Sequence, residues 1–183
     1  MRSTPARLFG VAVFLLCSAM ISFGQGEARY KGLPNFHKVN SQLFRGAQPK
    51  SDGWKELVEL GIKTVVNLRD DDERALAEEQ EAKRAGLRYF NLPFPRIGGP
   101  RDEQMQKVLE IINSSENQPI FVHCRRGSDR TGTVIAIYRI ERDGWTREEA
   151  QAEANRHGMA FWHWRMRDYI RSYNERFMSN NSH

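Results

Sequence analysis

Cysteine is nearly absent from this 183-residue chain, which contains only Cys17 and Cys124. Cys17 lies in an N-terminal segment with the features of a cleaved leader, so the exported chain would keep Cys124 alone. A single cysteine cannot form a disulfide within its own chain, which excludes a disulfide-stapled domain. A lone thiol in an exported protein indicates a reactive residue.

Long hydrophobic runs are missing after the first 24 residues. The apolar stretch Leu8–Leu16 follows Arg2 and Arg7 and precedes small residues, an order typical of a secretory signal peptide cleaved near Gly24. The stretch is short for a membrane span, although an uncleaved N-terminal anchor remains the alternative. We therefore expect residues 1–24 to direct export, with the mature protein periplasmic or secreted and touching a membrane only through that anchor.

A strong charge excess is also lacking. Without residues 1–24, which hold two arginines and no acid, the formal net charge falls from +5 to +3. No basic stripe with interleaved aromatic residues is present, so nucleic acid is not an expected partner. A hydrophobic content of 39% suits one globular domain, expected at 36–178 after a flexible lead-in at 25–35 and before a tail at 179–183.

Apolar patterns of period 2 alternate with patterns of helical period along the chain. Strands are expected within 36–44, 62–68, 87–92 and 119–122, and helices at 51–61, 73–85, from 102, at 133–140, at 147–156 and after 158. This alternation predicts an α/β fold with a mainly parallel sheet covered by helices on both faces. Ligands of such sheets bind at the carboxyl ends of the strands.

The stretch from His123 to Gly132 lies between a predicted strand and a predicted helix. In that geometry the loop N–H groups and the helix N-terminus point at one spot and form an anion site, which also stabilises a thiolate at Cys124. Arg130 offers a planar fork for two phosphate oxygens. Gly127 lets the backbone bend inward, and the Thr131 hydroxyl can donate to the sulfur. This arrangement suits attack of sulfur on phosphorus.

A His-Cys pair, five residues and then Arg-Thr-Gly resemble the signature loop of the cysteine-dependent protein tyrosine and dual-specificity phosphatases, in particular their small atypical members. The resemblance implies the phosphatase fold of that superfamily and hydrolysis through a cysteinyl-phosphate, without cofactor or metal. It implies an orienting role for His123, with Cys124 and Arg130 as catalytic residues. The substrate-binding residues it implies are Arg125, Arg126, Gly127, Ser128, Thr131 and Gly132.

The general acid of this family is usually an aspartate about thirty residues before the cysteine, but the chain has no acid from Asn91 to Arg101. Asp102 ends the corresponding loop, and Asp129 lies inside the signature. Related lipid phosphatases and some secreted bacterial tyrosine phosphatases carry an acid at the latter position, so Asp129 is preferred. Either residue also suits a helix cap.

Three functions remain open. Hydrolysis of phosphotyrosine or another phosphoprotein comes first. Hydrolysis of inositol phosphates or phosphoinositides comes second, because Arg125 and Arg126, with Arg96 and Arg101 on the facing loop, exceed what one phosphate requires. An inactive phosphate-binding module comes third, and the intact Cys124 argues against it.

The remaining polar and aromatic features are interpreted as structural. Arg45 is expected in a loop after the first strands, where a charge at the surface or at a helix end is favoured over a direct role in substrate binding. The acids of 70–73 favour a helix N-terminus over a metal site. The helical spacing of Trp162, Met166, Tyr169, Ile170, Tyr173 and Phe177 predicts core packing. His157 and His163 receive no catalytic role.

Overall fold

The computed structural model describes residues 30–173, which form five strands and six α-helices. The strands are β1 His37–Lys38, β2 Leu43–Ala47, β3 Thr64–Asn67, β4 Arg88–Asn91 and β5 Ile120–Cys124. The helices are α1 Gly53–Glu59, α2 Glu73–Arg84, α3 Asp102–Asn113, α4 Asp129–Arg142, α5 Arg147–Arg156 and α6 Trp164–Arg171. A short 3₁₀ turn, Ser115–Asn117, leads into β5.

The strands form one sheet in the order β1-β2-β5-β3-β4. Only β1 is antiparallel to its neighbour; β2, β5, β3 and β4 run parallel. The carboxyl ends of these four strands therefore meet along one edge, where β2 pairs Ala47 with Cys124. The fold class predicted from the alternation of strands and helices is confirmed.

Two hydrophobic clusters cover the two faces of the sheet. Val65 and Phe121 point to the face covered by α1 and α2, whereas Val66 and Val122 point to the face covered by α3–α6. Helix α4 is buried along most of its length, because it packs between the sheet, α5 and α6. This central position fixes its first turn against the end of β5.

Two predicted boundaries were wrong. Strand β2 continues through Arg45 to Ala47, because it pairs with β5 along its whole length, so the expected loop begins only at Gln48. The last helix begins at Trp164 rather than after Gly158. Leu33, within the expected lead-in, is buried in the cluster under α1.

The ends of the chain carry predictions that stay untested. The expected leader or anchor at 1–24, the tail at 179–183 and Phe177 lie outside the described residues. Within 30–173, no helix is both long and apolar enough to cross a membrane.

Candidate active site

Cys124 is the last residue of β5 and lies at the bottom of a cavity of about 680 Å³. The residue is almost fully buried. The cavity is lined by Arg96, Ile97, Cys124, Arg125, Arg126, Asp129, Arg130, Trp162, His163 and Met166. Four of the predicted site residues beyond Cys124 are thus brought together around one thiol.

The loop from Cys124 to Arg130, called the signature loop below, is held from behind by hydrogen bonds to its carbonyl groups. Behind it, Asn35 Nδ2 donates to the Arg126 carbonyl at 2.9 Å, and Arg45 Nη2 donates to the Gly127 carbonyl at 2.9 Å. A planar trans peptide directs its N–H opposite to its C=O. Because these two carbonyls point toward Asn35 and Arg45, the N–H groups of Gly127 and Ser128 point away from those side chains. Within residues 30–173, no backbone N–H of residues 126–128 donates a hydrogen bond to another group. These amides are available to a bound oxyanion.

The interpretation of Arg45 as a surface charge was wrong. Its side chain is among the largest fully buried ones and lies behind the signature loop. Burial lowers the pKa of Arg45 to about 10, while Glu153 and the Cys124 thiol oppose that lowering. Arg45 therefore carries a positive charge at neutral pH, directly behind the loop that begins at Cys124.

Arg130 lies in the first turn of α4, with its guanidinium beside the end of β3. Nη1 donates to the Leu68 carbonyl at 3.1 Å, and Nη2 lies 3.6 Å from Asp70 Oδ2. These two contacts hold the planar group in place, and Arg130 lines the cavity of Cys124. This preorganised fork suits two oxygens of a phosphate.

His123 is fully buried on the other side of β5. Nδ1 lies 3.4 Å from the Cys124 carbonyl, and Nε2 lies 2.6 Å from Oε1 of Glu78, a buried acid of α2. Gln48 donates to the second oxygen of that carboxylate at 2.8 Å. The imidazole thus lies between the Cys124 carbonyl and the Glu78 carboxylate, and its orienting role stays a prediction.

Asp129, the first residue of α4, faces the cavity and accepts at both oxygens. Oδ1 accepts from the backbone N–H of Ala160 at 2.9 Å, and Oδ2 accepts from Arg126 Nη2 at 2.8 Å. His163 Nε2 lies 3.7 Å from the same Oδ2. The aspartate therefore joins the signature loop to the segment between α5 and α6, and brings His163 into the site.

Asp102 is not part of this arrangement. It begins α3, accepts from the Tyr169 hydroxyl at 2.8 Å, and does not line the cavity of Cys124. Arg101, expected on the facing loop with Arg96, lines a neighbouring cleft together with Asp70. Arg96, by contrast, faces the site as expected.

The other predicted binding residues have distinct surroundings. Ser128 precedes α4, and Gly132 approaches α5, where an added Cβ would lie 3.2 Å from Met159 Cε. Thr131 is fully buried, and its hydroxyl makes no hydrogen bond within the described residues, so the expected bond to sulfur is absent. Arg125 is exposed at the mouth of the cavity.

The acids after β3 split between two roles. Asp72 caps α2 by accepting from the N–H groups of Arg74 and Ala75, as its position before a helix predicts. Asp70 instead lies beside Arg130. Residues 30–173 contain no group of three or more potential ligands arranged to hold a metal ion.

Sequence reasoning missed several residues of the site. Glu78 lies on a charged helix that offers no sign of its burial, and His163 lies 39 positions after Cys124. The aromatic neighbours of His163 were the available signal, but Trp162 is largely exposed instead of packed in the core. Burial lowers the pKa of His157 to about 3, with Arg45 as the next cause, so that imidazole is neutral.

Comparison with known proteins identifies this geometry. The sequence matches, over residues 29–171, the family described as DSP-PTPase phosphatase fused to NAD+ kinase. Among curated proteins, it is 32% identical over 125 residues to the dual specificity protein phosphatase TpbA of Pseudomonas aeruginosa strain UCBPP-PA14, covering 68% of this chain and 55% of that protein. It is 29% identical over 110 residues to the inositol diphosphatase DSP2 of Oryza sativa subsp. japonica, covering 57% of this chain and 53% of that one. The chain thus spans about half the length of these relatives.

Solved structures agree with the sequence match. The crystal structure of P. aeruginosa TpbA is similar with a TM-score of 0.65 at 27% identity, covering 76% of this chain and 84% of that one. The family match covers well over half of the chain. The chain therefore belongs to the DSP-PTPase family of phosphatases.

Proposed function

We propose that the chain is a phosphoric monoester hydrolase that works through a cysteinyl-phosphate, with phosphotyrosine or other phosphoprotein substrates as its first class. The observation that carries the proposal is the placement of Cys124 beneath unpaired loop amides, between Arg130 and the buried Arg45. A thiolate in such a site attacks phosphorus, while the amides and Arg130 hold the phosphoryl oxygens. TpbA, a relative of this chain, is named a dual specificity protein phosphatase.

The reaction needs two steps. Sulfur forms a bond to phosphorus as the bond to the leaving oxygen breaks, and that oxygen takes a proton from an acid. Water then attacks the cysteinyl-phosphate, the same carboxylate accepts a proton, and inorganic phosphate leaves with the thiolate restored. No redox step or metal is required.

Asp129 is the proton donor in this proposal. It lines the cavity together with Cys124 and Arg130, whereas Asp102 does not. Its contacts with Arg126 and Ala160 hold the carboxylate in the lining of that cavity, which supports this assignment.

Inositol phosphates are the second candidate substrate. Four arginines line the cavity, Arg96, Arg125, Arg126 and Arg130, against the single acid Asp129. One phosphate group occupies one guanidinium fork, so a substrate with several phosphate groups would engage more of the four arginines. The relative DSP2 is named an inositol diphosphatase.

The function is tested by phosphate release from an aryl phosphate, a phosphotyrosine peptide and an inositol polyphosphate, each with a metal chelator present. We expect turnover of the first two, and a kcat/KM for the inositol substrate at least about tenfold lower. The reverse order of the peptide and inositol substrates would assign the second substrate class. If no phosphate were released from any of the three substrates, the chain would be a phosphate-binding module without catalytic activity.

Asp129→Asn is expected to lower kcat on phenyl phosphate by about 10²–10⁴-fold, because the poor leaving group needs a proton. With an aryl phosphate whose phenol is strongly acidic, the loss should shrink to a few fold. The measurement is kcat against leaving-group acidity for both proteins, together with the pH profile.

Asp102→Asn is the matched control, since it makes the same chemical change outside the cavity, and we expect kcat within about threefold of wild type. If Asp129→Asn lowers kcat equally for every leaving group, Asp129 only joins the signature loop to Ala160. His163→Asn would then be the next variant to compare on the same series.

A further inference from the structure

Large apolar side chains are exposed around the mouth of the cavity. Six large apolar residues are exposed within 30–173, of which the first two lie elsewhere, on α1 and α2: Val58 (46%), Leu76 (58%), Ile97 (81%), Phe161 (79%), Trp162 (60%) and Trp164 (60%). The last four come from two distant segments of the chain and are called the apolar rim below. Exposed aromatic groups gathered in one place mark an interaction surface.

The apolar rim is a connected patch that borders the site. Ile97 and Trp162 line the cavity of Cys124, and both line a second cleft with Trp164. Phe161 contacts Trp162 edge to face, with ring centroids 4.9 Å apart. Any surface that covers the rim therefore also faces the opening above the thiol.

The rim is surrounded by positive charge. Of the charged residues lining the cavity, four are arginines and one is Asp129, which is already paired with Arg126. The guanidinium of Arg165 lies 4.9 Å from the centroid of the Trp164 ring. Tryptophan with arginine is the composition of surfaces at the lipid headgroup level, where indole rings meet the acyl boundary and guanidinium groups bind phosphates.

We propose that the apolar rim and its arginines dock onto an anionic lipid bilayer, with the cavity turned toward phosphates displayed by that surface. A phosphopeptide offers one phosphate at a time, whereas a bilayer offers a partner to each of the exposed arginines at once. The apolar rim then enters the interface instead of facing water. Docking does not depend on catalysis, but hydrolysis of a surface phosphate rests on the proposed function.

Tryptophan emission provides a direct test in the full-length chain, because its four tryptophans are Trp54 and Trp145 outside the rim and Trp162 and Trp164 within it. We expect brominated phosphatidylglycerol in phosphatidylcholine vesicles to quench the emission, and pure brominated phosphatidylcholine to quench it much less. Added salt should weaken quenching, since part of the attraction is electrostatic. If the chain attached to vesicles only through residues 1–24, the protein would sediment with the vesicles but its tryptophan emission would not be quenched.

The variant Phe161→Gln/Trp164→Gln should lower partition onto the anionic vesicles by about tenfold in sedimentation. The matched control is Val58→Gln/Leu76→Gln, which removes two exposed apolar residues on α1 and α2 and should bind as wild type does. Turnover of a soluble aryl phosphate by the rim variant should stay within about twofold of wild type, since neither residue lines the cavity.

Equal partition of the two double variants, or absence of quenching, would overturn the proposal. So would a rim variant that binds vesicles normally but loses turnover of a phosphopeptide, because that result assigns the apolar rim to a protein partner. Vesicle binding by a wild-type chain that hydrolyses nothing would contradict the phosphatase function and support the docking surface.

Discussion

Replacing Cys124 by serine is expected to abolish phosphate release, lowering kcat/KM on an aryl phosphate by at least about 10⁴-fold. Serine places a hydroxyl where the thiol stands, and a hydroxyl without an adjacent base is a poor nucleophile at neutral pH. The loop amides, Arg130 and Arg45 remain in place, so phosphate binding should survive. The measurement pairs turnover with the binding of inorganic phosphate by calorimetry.

Arg130→Lys provides a companion variant that keeps the thiol and the charge but loses the planar fork. We expect it to retain the nucleophile while losing about 10²–10³-fold in kcat/KM, since one amine cannot replace two parallel donors. If Cys124→Ser kept more than about a hundredth of wild-type turnover, the nucleophile would have to be another residue, and the mechanism would be refuted.

Gly127→Ala is expected to lower both stability and turnover. Gly127 has φ +70°, and an added Cβ would lie 2.4 Å from the carbonyl carbon and oxygen of Gly46 and 2.6 Å from the Ala47 nitrogen. Those are backbone atoms of β2, so they cannot move aside as a flexible side chain does. We expect the free energy of unfolding to fall by about 2–5 kcal/mol, the sum of left-handed strain and overpacking. Urea unfolding followed by tryptophan emission measures it.

Gly144→Ala separates the two causes, because Gly144 has φ +69° with nothing within 4 Å of the added Cβ. It should lose only about 1–2 kcal/mol from backbone strain. Its turnover should stay near wild type, whereas Gly127→Ala should lose at least about 100-fold through displacement of the loop amides. Equal losses of stability and activity in the two variants would show that contact with Gly46 has no effect.

The agreement between sequence and structure is best where the signal is local. The run ending at Cys124, the turn at Gly127 and the buried helix from Asp129 lie within 25 residues, and their pattern predicted a strand, a loop and a helix. The sheet was predicted for the same reason, because the spacing of apolar residues differs between strands and helices and can be recognised within each short segment. The roles of the site residues rest on the resemblance and stay predictions until the variants above are measured.

Agreement is weakest where a residue's surroundings come from distant parts of the chain. Arg45 looked like a loop charge, but its acceptor at Gly127 is 82 positions away and its burial depends on β2 lying beside β5. The spacing of Trp162 suited a helix stripe, yet α6 begins after it and leaves the indole exposed. Asp102 and Asp129 were both candidates for the general acid in the sequence. Only the structure distinguishes them, because Asp129 lines the cavity of Cys124 and Asp102 does not.

The sequence by itself determined the parallel α/β fold and the strand, loop and helix that run from Cys124 to Arg130, because short-range periodicity and motif spacing encode these features. The tertiary structure decided which charges stand behind the loop, which acid faces the thiol and which aromatic groups meet at the mouth. These depend on the strand order and on how α5 and α6 pack against α4, which no local pattern specifies. Contacts of this kind arise only when segments far apart in the chain share one core.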